Sequence, residues 1–170
     1  MNTNKAFLVE KWKETVEAFD FVNKYFSFDQ EYAQRDFKTF EHEKLKNGEI
    51  KKMYKQHFSK YDIYYEHGGF YFRKQFDELY VMFNFQLKSN FFLDYIHIYI
   101  NNFSAENIIS DPYYLPARTI RILLDDDNYP MQAKKFKDLA ELEHITRNEL
   151  AFYESLVNQF FENCELEYKL

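Results

Sequence analysis

Over residues 79–101 the chain alternates between two series of side chains at nearly every step. Leu79, Val81, Phe83, Phe85 and Leu87 interleave with Tyr80, Met82, Asn84, Gln86 and Lys88, and farther on Ile96, Ile98 and Ile100 interleave with Tyr95, His97 and Tyr99. A period of two belongs to a strand with two unlike faces, and no helix can satisfy it. A turn at Ser89-Asn90 pairs Leu87 with Phe92, Phe83 with Ile96, Val81 with Ile98 and Leu79 with Ile100. Nearly every aliphatic residue then falls on one face, with Asp94 opposite Phe85 as the mismatch; a slip of one residue would scatter the set.

A second hairpin precedes this one. Residues 61–66 and 70–74 flank His67-Gly68-Gly69, whose glycines suit the positive φ angles of a tight turn. With the turn on the two glycines, Tyr65 faces Phe72 and Tyr64 faces Arg73. The two hairpins joined through 75–78 make an antiparallel meander.

The flanks change to helical spacing. Leu8, Trp12, Val16, Phe19, Val22 and Phe26 advance by three or four and form one apolar stripe. A second helix is expected from Asp29 to about Lys46, with Ala33, Phe37 and Phe40 inward and Asn47-Gly48 as its end. A third, shorter helix carries Ile50, Met53, Tyr54 and His57. After Pro116, residues 117–124 read as a short helix or a strand, the helix being preferred because Pro is favourable in a first turn. Phe136, Leu139 and Leu142, then Leu150, Tyr153, Val157, Phe160 and Cys164, return to helical spacing. Between these runs Thr146-Arg147-Asn148-Glu149 has the form of a capping box, which divides the tail into two helices. The expected architecture is a single α+β domain over 1–170. It has helices over about 6–58, a four-stranded antiparallel meander over about 61–101, and helices over about 117–164.

Chemistry is harder to find than shape. Three glycines cannot build a dinucleotide fingerprint or a phosphate loop, which need several where backbone approaches phosphate. Asp125-Asp126-Asp127 lacks the alternation and glycine of a calcium loop and reads as a solvated, capping segment. His42, His57, His67, His97 and His144 form no metal-ligand spacing, and Cys164 on an apolar stripe reads as a small buried hydrophobe. No catalytic residue, metal or cofactor is called for.

One feature is left. The sheet's second face would carry Tyr64, Tyr71, Arg73, Tyr80, Met82, Tyr95, His97 and Tyr99, in a chain whose aromatic content is 21%. Two accounts of it stay open. Covered by a helix, it is a second core; left open, it is a platform of the residue types enriched at interface hot spots.

The net charge of −6 argues against nucleic acid and for a basic partner. The opening Met-Asn-Thr-Asn-Lys-Ala has no apolar signal core, and no stretch is long enough to cross a membrane, so the expectation is a soluble cytoplasmic protein. The function these features favour is a non-catalytic protein-binding module, in concrete form an acidic immunity-type inhibitor of a basic toxin or nuclease. Two alternatives remain: a small-molecule binder or enzyme with its pocket on the Tyr/His face, and a structural subunit that forms homo-oligomers through that face or the edge strand.

Overall fold

A computed structural model of the chain describes residues 5–20, 30–36, 38–77, 79–88, 92–101 and 134–170. Helix α1 (Lys5–Ala18) is followed by a single helical turn, α2 (Gln30–Ala33), and by α3 (Asn47–His57). Strands β1 (Asp62–Glu66), β2 (Gly69–Phe76), β3 (Leu79–Lys88) and β4 (Phe92–Asn101) come next, then β5 (Lys134–Lys135) and the long helix α4 (Leu139–Asn163). All strand pairings are antiparallel, in the spatial order β1-β2-β3-β4-β5. The expected mixed class is observed, with an antiparallel sheet packed on helices.

The core lies on one face of the sheet. Ile63, Phe70, Phe72, Val81, Phe83, Phe85, Ile98 and Ile100 meet Leu8 and Trp12 of α1, Ile50 and Tyr54 of α3, and a stripe along α4. That stripe, from Leu142 through Ile145, Leu150, Tyr153 and Val157 to Phe160, keeps the three-to-four spacing over a helix of 25 residues, about 37 Å long. Tyr54 is the hub. Its ring stands edge-on to Phe58, Phe70 and Phe72 at 4.9–5.8 Å, and its hydroxyl meets that of Thr146 at 2.9 Å. Burial pushes the Tyr54 hydroxyl pKa well up, so it stays a protonated hydrogen-bonding group.

The first hairpin differs from the expected register by two residues, and the second by two beyond its bulge and by one beside its turn. The first turn is His67-Gly68, both at positive φ (49° and 78°), so Ile63 faces Phe72, Tyr64 faces Tyr71 and Tyr65 faces Phe70. Gly69 enters β2 because side chains lie over it: a Cβ there would collide with the amides of Asn84 and Gln86. In the second hairpin Phe83 faces Ile98, Val81 faces Ile100 and Met82 faces Tyr99. A bulge between Gln86 and Leu87 leaves Asp94 without a cross-strand partner, because Gln86 pairs with Tyr95 and Leu87 with Leu93. The misfit of Asp94 against Phe85 is removed by that extra residue.

The helices differ too. Residues 34–36 and 38–46 do not continue α2, because long-range polar contacts hold them in an irregular path. Lys135 Nζ donates to Ala33 O at 2.6 Å, Arg35 grips Glu141 with both guanidinium nitrogens (2.5 and 2.8 Å), and Glu43 N donates to Lys137 O at 2.7 Å. Asn47-Gly48 opens a helix instead of closing one: Lys46 is the N-cap, and its N–H donates to Glu49 Oε2 at 3.0 Å. The 146–149 segment is not a helix start. Asp138 caps α4 by accepting from Glu141 N at 2.9 Å, and the helix runs unbroken because Thr146 and Glu149 are both turned into the core. Val22, Phe26, Phe37, residues 117–124 and Asp125-Asp126-Asp127 lie outside the described residues.

Candidate functional site

The second face of the sheet is built from the residues that alternate with the core. Tyr64 on β1 stacks on Tyr71 of β2, with ring centroids 5.1 Å apart and planes 6° from parallel. Arg73 lies at 5.9 Å from the Tyr64 ring and bridges to Asp62 Oδ2 at 2.5 Å. The Tyr64 hydroxyl donates to Met82 Sδ at 3.0 Å, and partial burial raises its pKa, an effect the Arg73 cation opposes. Tyr71, Tyr80 and Met82 are buried and form with Tyr64 a small apolar cluster separate from the main core. Asn84 is buried beside them, its Oδ1 accepting from Gln86 Nε2 at 2.5 Å above Gly69.

Of the eight expected site residues, five are therefore brought together, three of them buried and Tyr64 and Arg73 half-exposed. β4 sets Tyr95, His97 and Tyr99 opposite Gln86, Asn84 and Met82, and their side chains lie outside the described set. The accessible margin of this face is β1, the strand at the sheet's edge. Asp62 and Glu66 are exposed there, and Tyr65, 41% exposed, is the one exposed large hydrophobic among the described residues.

A second site lies between the end of α3 and the middle of α4. A cleft of about 340 Å³ is lined by His57, Phe58, Ser59, Lys60, Arg147, Leu150, Ala151 and Glu154. Its polar groups gather on two carboxylates. Glu143 Oε1 accepts from Arg147 Nη2 at 2.8 Å and lies 3.1 Å from His57 Nδ1. Glu154 Oε1 lies 2.7 Å from Lys60 Nζ and accepts from the Tyr61 hydroxyl at 2.6 Å. Burial, reinforced by the bond to Glu154, raises the Tyr61 pKa and keeps its proton in place. Arg147 also lies over the Phe58 ring at 4.9 Å.

Ser59, His57 and Glu143 are the residue types of an acyl-transfer triad, and the contact that orients the imidazole is formed. Among the described residues no hydrogen bond joins Ser59 to His57. Periodicity alone did not reveal this cleft. Glu143, Arg147, Leu150 and Glu154 share a helical stripe in the sequence, but their approach to His57 and Lys60 depends on how α3 packs against α4.

The remaining candidates are quiet. Cys164 is buried, and burial pushes its thiol pKa up to about 11, where the nucleophilic thiolate is scarce. Among the described residues no three His, Cys, Asp or Glu side chains are grouped to hold a metal ion, and no helix is long and apolar enough to cross a membrane. No family model, no curated protein and no solved structure matches the chain.

Proposed function

We propose that this chain is a non-catalytic protein-binding module whose contact surface is the acidic, aromatic margin of its sheet. Its concrete form is an inhibitor of the immunity type, which blocks a basic toxin or nuclease by setting carboxylates where substrate phosphates would lie. The observation that carries the reading is β1: an edge strand among the described residues whose exposed carboxylates Asp62 and Glu66 flank Tyr64 on the second face, with the exposed Tyr65 on the opposite face. Tyr and acidic groups together suit a basic partner, the aromatic ring supplying contact area and the carboxylates steering the encounter. Tyr64 and Arg73 extend the surface inward, over Tyr71, Tyr80 and Met82, towards the strand that bears Tyr95, His97 and Tyr99. The net charge of −6 favours the same class of partner, and the proposal places the protein in the cytoplasm with that partner.

Affinity capture with the tagged chain tests this, at low and physiological salt, with and without Asp62→Lys/Glu66→Lys. A basic protein that co-purifies, is released by salt and is lost with the reversed charges supports the reading. Capture indifferent to the reversed charges defeats it.

A second reading, a small-molecule binder or enzyme, is favoured by the cleft, where the Glu143–His57 contact stands beside Ser59. A serine-directed fluorophosphonate distinguishes it. Labelling of Ser59 that disappears in His57→Ala supports acyl-transfer chemistry, and an unlabelled Ser59 removes it.

A further inference from the structure

We infer that the cleft between the end of α3 and the middle of α4 is a binding site for a small organic carboxylate with an apolar body. The inference rests on the second reading above, the small-molecule binder, and names the class of ligand that the cleft takes.

Its shape comes from one stripe of α4. Arg147, Leu150, Ala151 and Glu154 follow at i, i+3, i+4 and i+7, so they share one face of the helix. Seven residues of helix rise about 10 Å, which sets the length of the cleft between its Arg147 and Glu154 ends. Ala151 stands between them, and its single methyl leaves the space that a longer side chain would fill. Opposite the stripe, the chain leaving α3 supplies Phe58, Ser59 and Lys60. Phe58 and Leu150 are buried and make an apolar floor, whereas Ser59, Lys60, Arg147 and Ala151 are exposed, so the cleft is open to a ligand. Its volume of about 340 Å³ falls within the span of ligand pockets, roughly 300–1,000 Å³.

Charge says which ligand. The lining carries two fixed cations, Lys60 and Arg147, against one carboxylate, Glu154, in a chain whose net charge is −6. That local reversal of sign suits a monoanion. Both nearby carboxylates are already engaged, Glu154 by Lys60 and the Tyr61 hydroxyl, Glu143 by Arg147 and His57. A cationic ligand would have to displace one of those partners. The two cations still have donors to give: Lys60 and Arg147 each carry several N–H groups, and among the described residues each has one ionic partner. Their side chains are 45% and 54% exposed and that of Glu154 16%, so an incoming anion meets the donors before it meets the carboxylate. Rings hold both cations in place, Lys60 at 5.4 Å from Tyr61 and Arg147 at 4.9 Å from Phe58, which lowers the cost of ordering them around a ligand. Glu154 would repel a second negative charge, which favours a carboxylate over a phosphate monoester.

The experiment titrates the full, isotope-labelled chain with phenylacetate, phenethyl alcohol and phenethylamine, which share a body and differ in the head group. Phenylacetate should shift the amides of Ser59, Lys60 and Ala151 and bind at least about tenfold more tightly than the alcohol, with the amine no tighter than the alcohol. Lys60→Gln and Arg147→Gln, at exposed pairs, should each weaken phenylacetate about tenfold with little change in Tm. Ala151→Leu keeps every charge and suits a helix, and it should abolish binding by filling the space. If the alcohol or the amine binds at the same amides as tightly as phenylacetate, or if neither Gln variant weakens phenylacetate, the carboxylate assignment is overturned while the small-molecule reading of the cleft stands. If none of the three moves those amides, or if Ala151→Leu binds phenylacetate as well as the parent, the cleft is not a ligand site and both fall.

Discussion

Replacing Glu149 by Gln leaves the Lys134 ammonium in the interior facing a neutral amide. The two side chains form an ion pair, with Lys134 2% and Glu149 1% exposed, where β5 is held against the inner face of α4. Neither charge can recover its hydration by moving outward, so removal of one partner is expected to destabilise by about 3–5 kcal/mol. For a chain of 170 residues each kcal/mol shifts Tm by roughly 2–4 °C, so the expected fall is about 6–20 °C. Lys134→Met is expected to behave alike. The double variant Lys134→Met/Glu149→Met removes both charges and both desolvation penalties. Its stability should return to within about 1 kcal/mol of the parent or exceed it. Thermal and urea unfolding of the four proteins, followed by circular dichroism, completes the cycle. Single variants within about 1 kcal/mol of the parent, or a double variant as unstable as the two losses added, would refute the argument that burial makes each charge depend on the other.

Tyr80→Ala should destabilise by roughly 3–5 kcal/mol because its ring is buried with Tyr71 and Met82, whereas Tyr65→Ala on the exposed edge should change stability by less than about 1 kcal/mol; equal Tm values would contradict the separate cluster. Glu165 closes α4 at φ 57°, with Leu166 N donating to Phe161 O at 2.9 Å, so Glu165→Gly should raise stability by about 1 kcal/mol in urea unfolding. The Arg35 guanidinium holds the Glu141 carboxyl below its ordinary value of 4.5, so the unfolded chain binds more protons below that pH. The stabilisation from this group is full above about pH 5 and is lost as pH falls through the depressed folded value. Glu141→Gln should therefore be the less stable protein near neutrality, and the gap should close in acid; a gap constant to pH 2 would count against the pairing.

The errors in reading this sequence share one form. The first hairpin register, and the second beyond its bulge, are displaced by two residues: Phe72 faces Ile63 rather than Tyr65, and Phe83 faces Ile98 rather than Ile96; beside the second turn the displacement is one, Leu87 facing Leu93 rather than Phe92. An even displacement leaves each residue on its own face, so away from the second turn the core and the candidate binding face were legible in the alternation while the partners across the strands were not. What moved them was backbone: positive φ at His67, and a bulge that sets Asp94 aside. The strand 61–66 was legible as an edge from the order of the hairpins, but the exposure of Asp62, Tyr65 and Glu66 along it is decided by the packing of the fold. The helical errors have a different source. Gly48 lies in the first turn of a helix, and 34–36 and 38–46 leave the helix, because Glu49, Lys135 and Glu141 supply hydrogen bonds that local propensity does not register.

By itself, then, the sequence determined periodicity: which residues of 79–88 face the same way, which stripe of α4 is apolar, and that helices flank an antiparallel sheet. These are local properties, carried by spacings of two and of three to four. Tertiary structure alone decided where Lys134, Lys135 and Glu149 go. Charged residues read as surface, and they enter this core because each meets an opposite charge or a carbonyl brought from a distant segment: Lys134 meets Glu149, and Lys135 meets the carbonyl of Ala33. Burial of a charge is decided by its partner, and the partner is known only once the chain has folded.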